Sequence, residues 1–197
     1  MTIEATFEAS GDYELKVNLD PRVFLSSIPT SLPPVAADWY LSQSAEQVKA
    51  TFAKATEHLQ KHVEMRFGGK VQPMVGMTFV AMDGATNQLV TPETAETHLL
   101  GTLRSSVPAG AGEFTLGFAR EAQVSLILLL KTPEMSEPKV QVLFPGESSR
   151  PVKVAAKSAG PIPGSEPQWR GTWWFGWLAG MAVVAGVIWW LATRRNR

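Results

Sequence analysis

The chain has 197 residues, with 18 Lys and Arg against 18 Asp and Glu and no cysteine, which excludes a disulfide framework, a thiolate nucleophile and any cysteine-ligated metal or iron–sulfur centre. All 18 acidic residues but only 14 of the basic ones lie at or before Glu166, a net charge of −4 that argues against nucleic-acid binding, which needs a basic face. About 170 residues precede an apolar C-terminal run, enough for one domain with a proper core and too few for two.

Ile3, Ala5 and Phe7 alternate with polar neighbours, Ser10-Gly11-Asp12 makes a turn, and Tyr13, Leu15, Val17 and Leu19 alternate again, which predicts a β-hairpin with one buried face. Asp20-Pro21 ends it. Pro29, Pro33 and Pro34 exclude a regular helix between Pro21 and Asp38, so that stretch is expected as a loop draped across the domain. Ser44 with Gln47 resembles a capping box, and Val48, Phe52, Ala55 and Leu59 recur behind it at helical spacing. An amphipathic helix of about sixteen residues follows, interrupted by Lys49, Lys54, Glu57 and Lys61 and therefore suited to packing on a sheet.

Alternation returns from Val63 to Phe67, Gly68-Gly69 turns the chain, and Val71 to Val80 runs back with Pro73 and Gly76 inside it. This reads as a second hairpin whose return strand is bulged or at an edge. Residues 83 to 96 read as a loop. Leu99, Gly101 and Leu103 form a short strand, Pro108 to Gly112 a turn, and Phe114, Leu116 and Phe118 another strand. The apolar run Val124 to Leu130 is too short for a membrane span and reads as a central strand buried on both faces. After a Pro133 to Pro138 turn, Val140, Val142 and Phe144 alternate, Pro145-Gly146-Glu147 turns, and Val152 and Val154 close the domain.

These elements predict a mainly β fold: an antiparallel β-sandwich over residues 1–154 with one packed amphipathic helix. Residues 155–170, carrying Gly160-Pro161, Pro163-Gly164 and Pro167, form a semi-extended linker. Trp173 to Ala192 is a run of twenty residues without a charge, reaching roughly 30 Å as a helix, the thickness of the hydrocarbon core. A single C-terminal transmembrane helix over 171–193 and a basic tail over 194–197 are expected. Trp173, Trp174 and Trp177 at one end, and Trp189, Trp190, Arg194 and Arg195 at the other, would sit at the two membrane interfaces. Gly176, Ala179, Gly180, Ala182 and Gly186 share one side of that helix, and Gly176-x-x-x-Gly180 is a spacing used by paired membrane helices, so a helix partner is expected there.

Orientation has two readings. Three basic residues follow the helix and Arg170 alone precedes it closely, which favours a cytoplasmic C-terminus and an outward, periplasmic domain. The first twenty residues show no secretory leader, so either a leader lay upstream of Met1 or the protein is tail-anchored and faces the cytoplasm. A periplasmic domain at a bacterial inner membrane is expected.

His58 and His62 lie four apart on the predicted helix, a spacing that can chelate a metal, with Glu57 and Glu64 close by. A zinc-protease helix needs Glu directly after the first His, where this chain has Leu59, so that mechanism is excluded in its usual form. A solvated helix face is the ordinary alternative. Met65, Met74, Met77 and Met82 are expected to pack the core rather than bind copper. Gly110-x-Gly112 lacks a following helix, and no Gly-x-Ser-x-Gly elbow, P-loop or dinucleotide fingerprint occurs. No catalytic residue and no cofactor are expected.

Pro108-Ala109-Gly110-Ala111 leading to Phe114, the apolar strand 124–130, and Phe144-Pro145-Gly146-Glu147-Ser148-Ser149-Arg150-Pro151 resemble the extracytoplasmic β-rich domain of HupE/UreJ-type bacterial membrane proteins over residues 13–154. That family's multi-helix part, associated with metal transport or with hydrogenase and urease maturation, is replaced here by one helix. What the resemblance implies is placement: an outward-facing sandwich beside a membrane protein. The resulting expectation is a non-catalytic, single-pass subunit that scaffolds a larger membrane complex, respiratory or photosynthetic, with the lipid bilayer and other membrane subunits as partners. A membrane-tethered metal-handling module using His58 and His62 is the alternative, and an uncharacterised hydrolase the third.

Overall fold

Strict alternation dictates the first hairpin, β1 (Thr2–Phe7) and β2 (Asp12–Leu19), in which Ile3 faces Val17 and Phe7 faces Tyr13 and every odd-numbered side chain from Ile3 to Leu19 within the strands is buried. A one-residue slip would turn that whole apolar set into water, so the burial pattern itself fixes the register. A computed structural model describes residues 1–157. Beyond the hairpin it contains β3 (Val63–Phe67), β4 (Lys70–Gln72), β5 (Thr78–Asp83), β6 (Thr97–Ser106), β7 (Glu113–Phe118), β8 (Leu126–Lys131), β9 (Lys139–Leu143) and β10 (Val152–Lys153). The strands form a six-stranded sheet of order β5-β6-β2-β1-β8-β9 and a four-stranded sheet of order β10-β7-β3-β4. The fold is thus mainly β and antiparallel, as expected, with one parallel pair, β1 with β8, that alternation does not reveal.

The two sheets meet through aromatic rings. Phe7 and Tyr13 from the larger sheet approach Phe67 and Phe114 from the smaller one, with centroids 4.9 Å apart for Phe7–Phe114 and 5.2 Å for Tyr13–Phe67. Such tilted and edge-on contacts add to the area term that dominates core stability. Leu15, Leu99, Leu116, Leu126, Leu128 and Leu130 fill the same core.

The long helix, α3 (Ala45–His62), starts where the sequence places it: the Ser44 hydroxyl accepts from the Gln47 amide, and the Gln47 side chain accepts from the Ser44 amide at 2.7 Å. Ala55 and Leu59 enter the core, and Phe52 meets Phe79 of β5 at 5.7 Å. Three expectations are corrected. The second hairpin forms at Gly68-Gly69 with its return strand at a sheet edge, but Val71 to Val80 is not one strand: β4 pairs with β3, and Pro73, which cannot donate to a ladder, and Gly76, at φ +84°, carry the chain to the other sheet, where β5 pairs with β6. The loop from Pro21 to Asp38 holds short helical turns, α1 (Arg22–Leu25) and a 3-10 turn at Pro29–Ser31, and runs into α2 (Ala37–Leu41). The apolar run ending at Leu130 is buried on one face only, since Ile127 stands exposed.

Of the expected linker, residues 155–157 are described, and they lie along the domain. The Val154 amide donates to Gly112 O at 3.1 Å and the Lys157 amide to Val107 O at 3.3 Å. The Lys157 ammonium reaches Asp12 and Ser106, each at 3.0 Å. Hydrogen bonds from Ser106, Lys157 and Ser10 bring the Asp12 carboxyl down to about 2. A depressed carboxylate stabilises above its unfolded pKa, so this anchor is fully present at neutral pH and is lost progressively as pH falls from the ordinary carboxylate range through about 2.

Gly11, at φ +83°, is what lets this strap seat: a Cβ there would lie 2.5 Å from Lys157 N and 2.8 Å from Ala156 C. Gly11→Ala is expected to lift residues 154–157 and to abolish the hydrogen-exchange protection of the Val154 and Lys157 amides. Gly69→Ala, equally strained at φ +77° but with nothing within 4 Å, leaves them protected. Unchanged protection in Gly11→Ala would show that the strap is not held by this contact.

Candidate functional site

The outer face of β8 and β9 departs from the usual polarity of a sheet surface. Register pairs Ile127 with Val142 and Leu129 with Val140, while Leu126, Leu128 and Leu143 point inward and are buried. Continuing the alternation, Phe144 joins Val140 and Val142 on the outside. Ile127, Val140, Val142 and Phe144 are between 41% and 62% exposed. On the same sheet, β2 and β6 present ion pairs instead: Glu14 contacts Lys16 at 3.3 Å and Arg104 at 2.7 Å.

This apolar face is held firmly. The Phe144 amide donates to the Glu147 carboxylate at 2.9 Å, the Glu147 amide returns to Phe144 O at 3.0 Å, and Gly146 at φ +87° closes the turn. The Arg150 amide donates to Gln141 Oε1 at 2.8 Å, tying β9 to the chain that leaves it. Strand β9 is also a sheet edge, so main-chain groups lie beside the exposed valines. A row of alternate apolar side chains on an open edge is suited to burial against a partner.

His58 and His62 do come together, with ring centroids 4.3 Å apart on the last turns of α3. Burial above all, then the charges of His62 and Lys61, lowers the His58 imidazole to about 4, so its ring is neutral at physiological pH. Both line a cavity of about 660 Å³ together with Val23, Phe24, Glu57 and Glu121. Among the described residues no third His, Asp or Glu gathers with them as closely as in the cluster described next.

That cluster, Asp20, Glu96 and His98, has ligand atoms within 4.8 Å of one another. It forms because Asp20 follows β2 and Glu96 precedes β6, and these strands pair; no spacing in the sequence signals it, and only knowledge of that pairing could have. The Arg22 guanidinium already sits there, 2.6 Å from Asp20 and 3.4 Å from Glu96. Burial pushes the Asp20 carboxyl up, but its hydrogen bonds from Arg22 outweigh that and hold it below its ordinary range. His98 Nδ1 bonds Asn18 Oδ1 at 2.7 Å, and Nε2 lies 3.2 Å from Glu96. Arg22 thus pairs with both carboxylates and offsets one of their two negative charges, occupying the cluster with a cation of the chain's own.

Among the described residues no helix is long and apolar enough to cross a membrane. The expected membrane helix over 171–193 lies outside the described residues, and with it Gly176, Ala179, Gly180, Ala182 and Gly186 and the interface residues Trp173, Trp174, Trp177, Trp189, Trp190, Arg194 and Arg195. Comparison with protein-family models and with curated proteins gives no match to this chain.

Proposed function

We propose that this chain is a non-catalytic, single-pass membrane subunit whose β-sandwich docks on a larger membrane-protein complex through the outer face of β8 and β9. The observation that carries the reading is the exposed row Ile127, Val140, Val142 and Phe144 on a sheet whose neighbouring outer surface is ion-paired. A monomer gains nothing by keeping such a row in water, whereas a partner that covers it recovers the hydrophobic free energy. The uncharged run Trp173 to Ala192 supports a membrane anchor, with its small-residue side turned to a second helix. The resemblance of residues 13–154 to the extracytoplasmic domain of HupE/UreJ-type proteins, and the excess of Arg after the apolar run, support a periplasmic domain at a bacterial inner membrane.

Val142→Arg places a charge in the middle of the face. Full-length protein taken from membranes in mild detergent is expected to run as a complex larger than one chain. Val142→Arg weakens that association about tenfold or more, while Lys16→Glu, on the ion-paired part of the sheet, leaves it intact. Wild-type protein that migrates as a single chain in every mild detergent overturns the reading.

A further inference from the structure

We propose that His58 and His62 form a binding site for a divalent first-row transition ion of the imidazole-preferring class, such as Zn²⁺ or Cu²⁺, in the wall of the cavity lined by residues of α1 and α3. This site lies on α3, apart from the docking face on β8 and β9. Three observations carry it. First, one helical turn separates the two residues and their ring centroids are 4.3 Å apart with the planes tilted by 36°, close enough that rotation about the side-chain bonds can bring a nitrogen of each to one ion.

Second, the tautomer of His62 is set for ligation. Its Nδ1 lies 2.9 Å from the His58 carbonyl oxygen, which can only accept, so Nδ1 carries a proton there and Nε2 is the ring nitrogen left to face an ion. A ligating histidine is commonly oriented in this way by a hydrogen bond from its other nitrogen. The His58 ring meets the His62 ring directly, and no side-chain hydrogen bond among the described residues would be broken if it turned to an ion. Third, both rings open on a cavity of about 660 Å³, with room for the water that would complete the ion's coordination. Lys54 and Lys61 also line it, and Glu57 and Glu121 balance their charge. The ion is therefore chosen by imidazole preference rather than by a field of carboxylates, which sets Zn²⁺ and Cu²⁺ ahead of Mg²⁺ and Ca²⁺.

Calorimetric titration of the metal-free full-length chain with Zn²⁺ at pH 7.5 tests this, alongside His58→Ala, His62→Ala and His98→Ala. One equivalent bound by wild type and by His98→Ala, with affinity reduced about tenfold or more in each of the other two, is the expected result. No binding to wild type, or equal binding by all four proteins, overturns it. Loss in His98→Ala alone also overturns it and moves the ion to the Asp20, Glu96 and His98 cluster. A measurement on wild type needs no variant to fold: Zn²⁺ should shield His58 and His62, but not His98, from diethyl pyrocarbonate, read residue by residue by mass spectrometry. Modification of His58 and His62 unaffected by Zn²⁺ overturns the site.

Discussion

Phe114→Ala is expected to cost the β-rich domain about 3–5 kcal/mol, the range for emptying a fully buried aromatic site. Phe114 is 0% exposed and lies between the sheets, 4.9 Å from Phe7 and 5.3 Å from Phe67 by ring centroid. Its removal deletes the ring that both of those neighbours touch, and strands on either side cannot collapse into the gap without breaking their own ladders. A domain of this size has a total stability of roughly 5–15 kcal/mol, so the loss is a large fraction of the whole. The melting temperature should fall by about 6–20 °C, read from the β signal in circular dichroism. Phe144→Ala is the matched control: the same change of residue, made on the exposed face, should stay within about 0.5 kcal/mol of wild type. Equal losses at the two positions would mean that Phe144 is packed in the free protein and is no part of an open docking face.

A chain ending at Lys157 is expected to partition into the aqueous fraction after lysis, whereas the full chain sediments with membranes and is released only by detergent. The difference rests on Trp173 to Ala192, twenty residues without a charge, in which each central Leu, Ile or Val favours insertion by a few tenths of a kcal/mol. Nothing comparable exists among the described residues, where no helix is long and apolar enough to cross a membrane. Full-length and shortened chains that are equally soluble without detergent would remove the anchor from the account while leaving the sheet's exposed face to be explained.

The parts of the fold that local chemistry decides were legible in the residues. The β1–β2 hairpin follows from alternation around Ser10-Gly11-Asp12, and α3 from a capping box whose two reciprocal hydrogen bonds the structure contains. Sheet membership was not legible, because it depends on contacts between distant segments. Nothing near Thr2 signals that it will lie beside Ile127, and Pro73 with Gly76 reads equally well as a bulge or as a crossing to the second sheet.

The most instructive miss is β8. An apolar run implies burial on both sides only if something covers both sides, and here Ile127 and the opposite Val142 remain in water. The pattern misled at the surface that the proposed function uses, which is where local rules and the fold of an isolated chain are expected to disagree. At the histidines the i, i+4 spacing anticipated the contact between the rings, but not the hydrogen bond from His62 to the His58 carbonyl, nor the cavity in front of them.

The most direct test of the docking face is a photo-reactive amino acid placed in the full chain at position 142, and in a second protein at position 16, with irradiation in intact membranes. The account predicts a cross-link from position 142 to a membrane subunit that also co-purifies with the wild-type chain, and none from position 16. A position 142 that reacts only with water or lipid, or no more with that subunit than position 16 does, would contradict it.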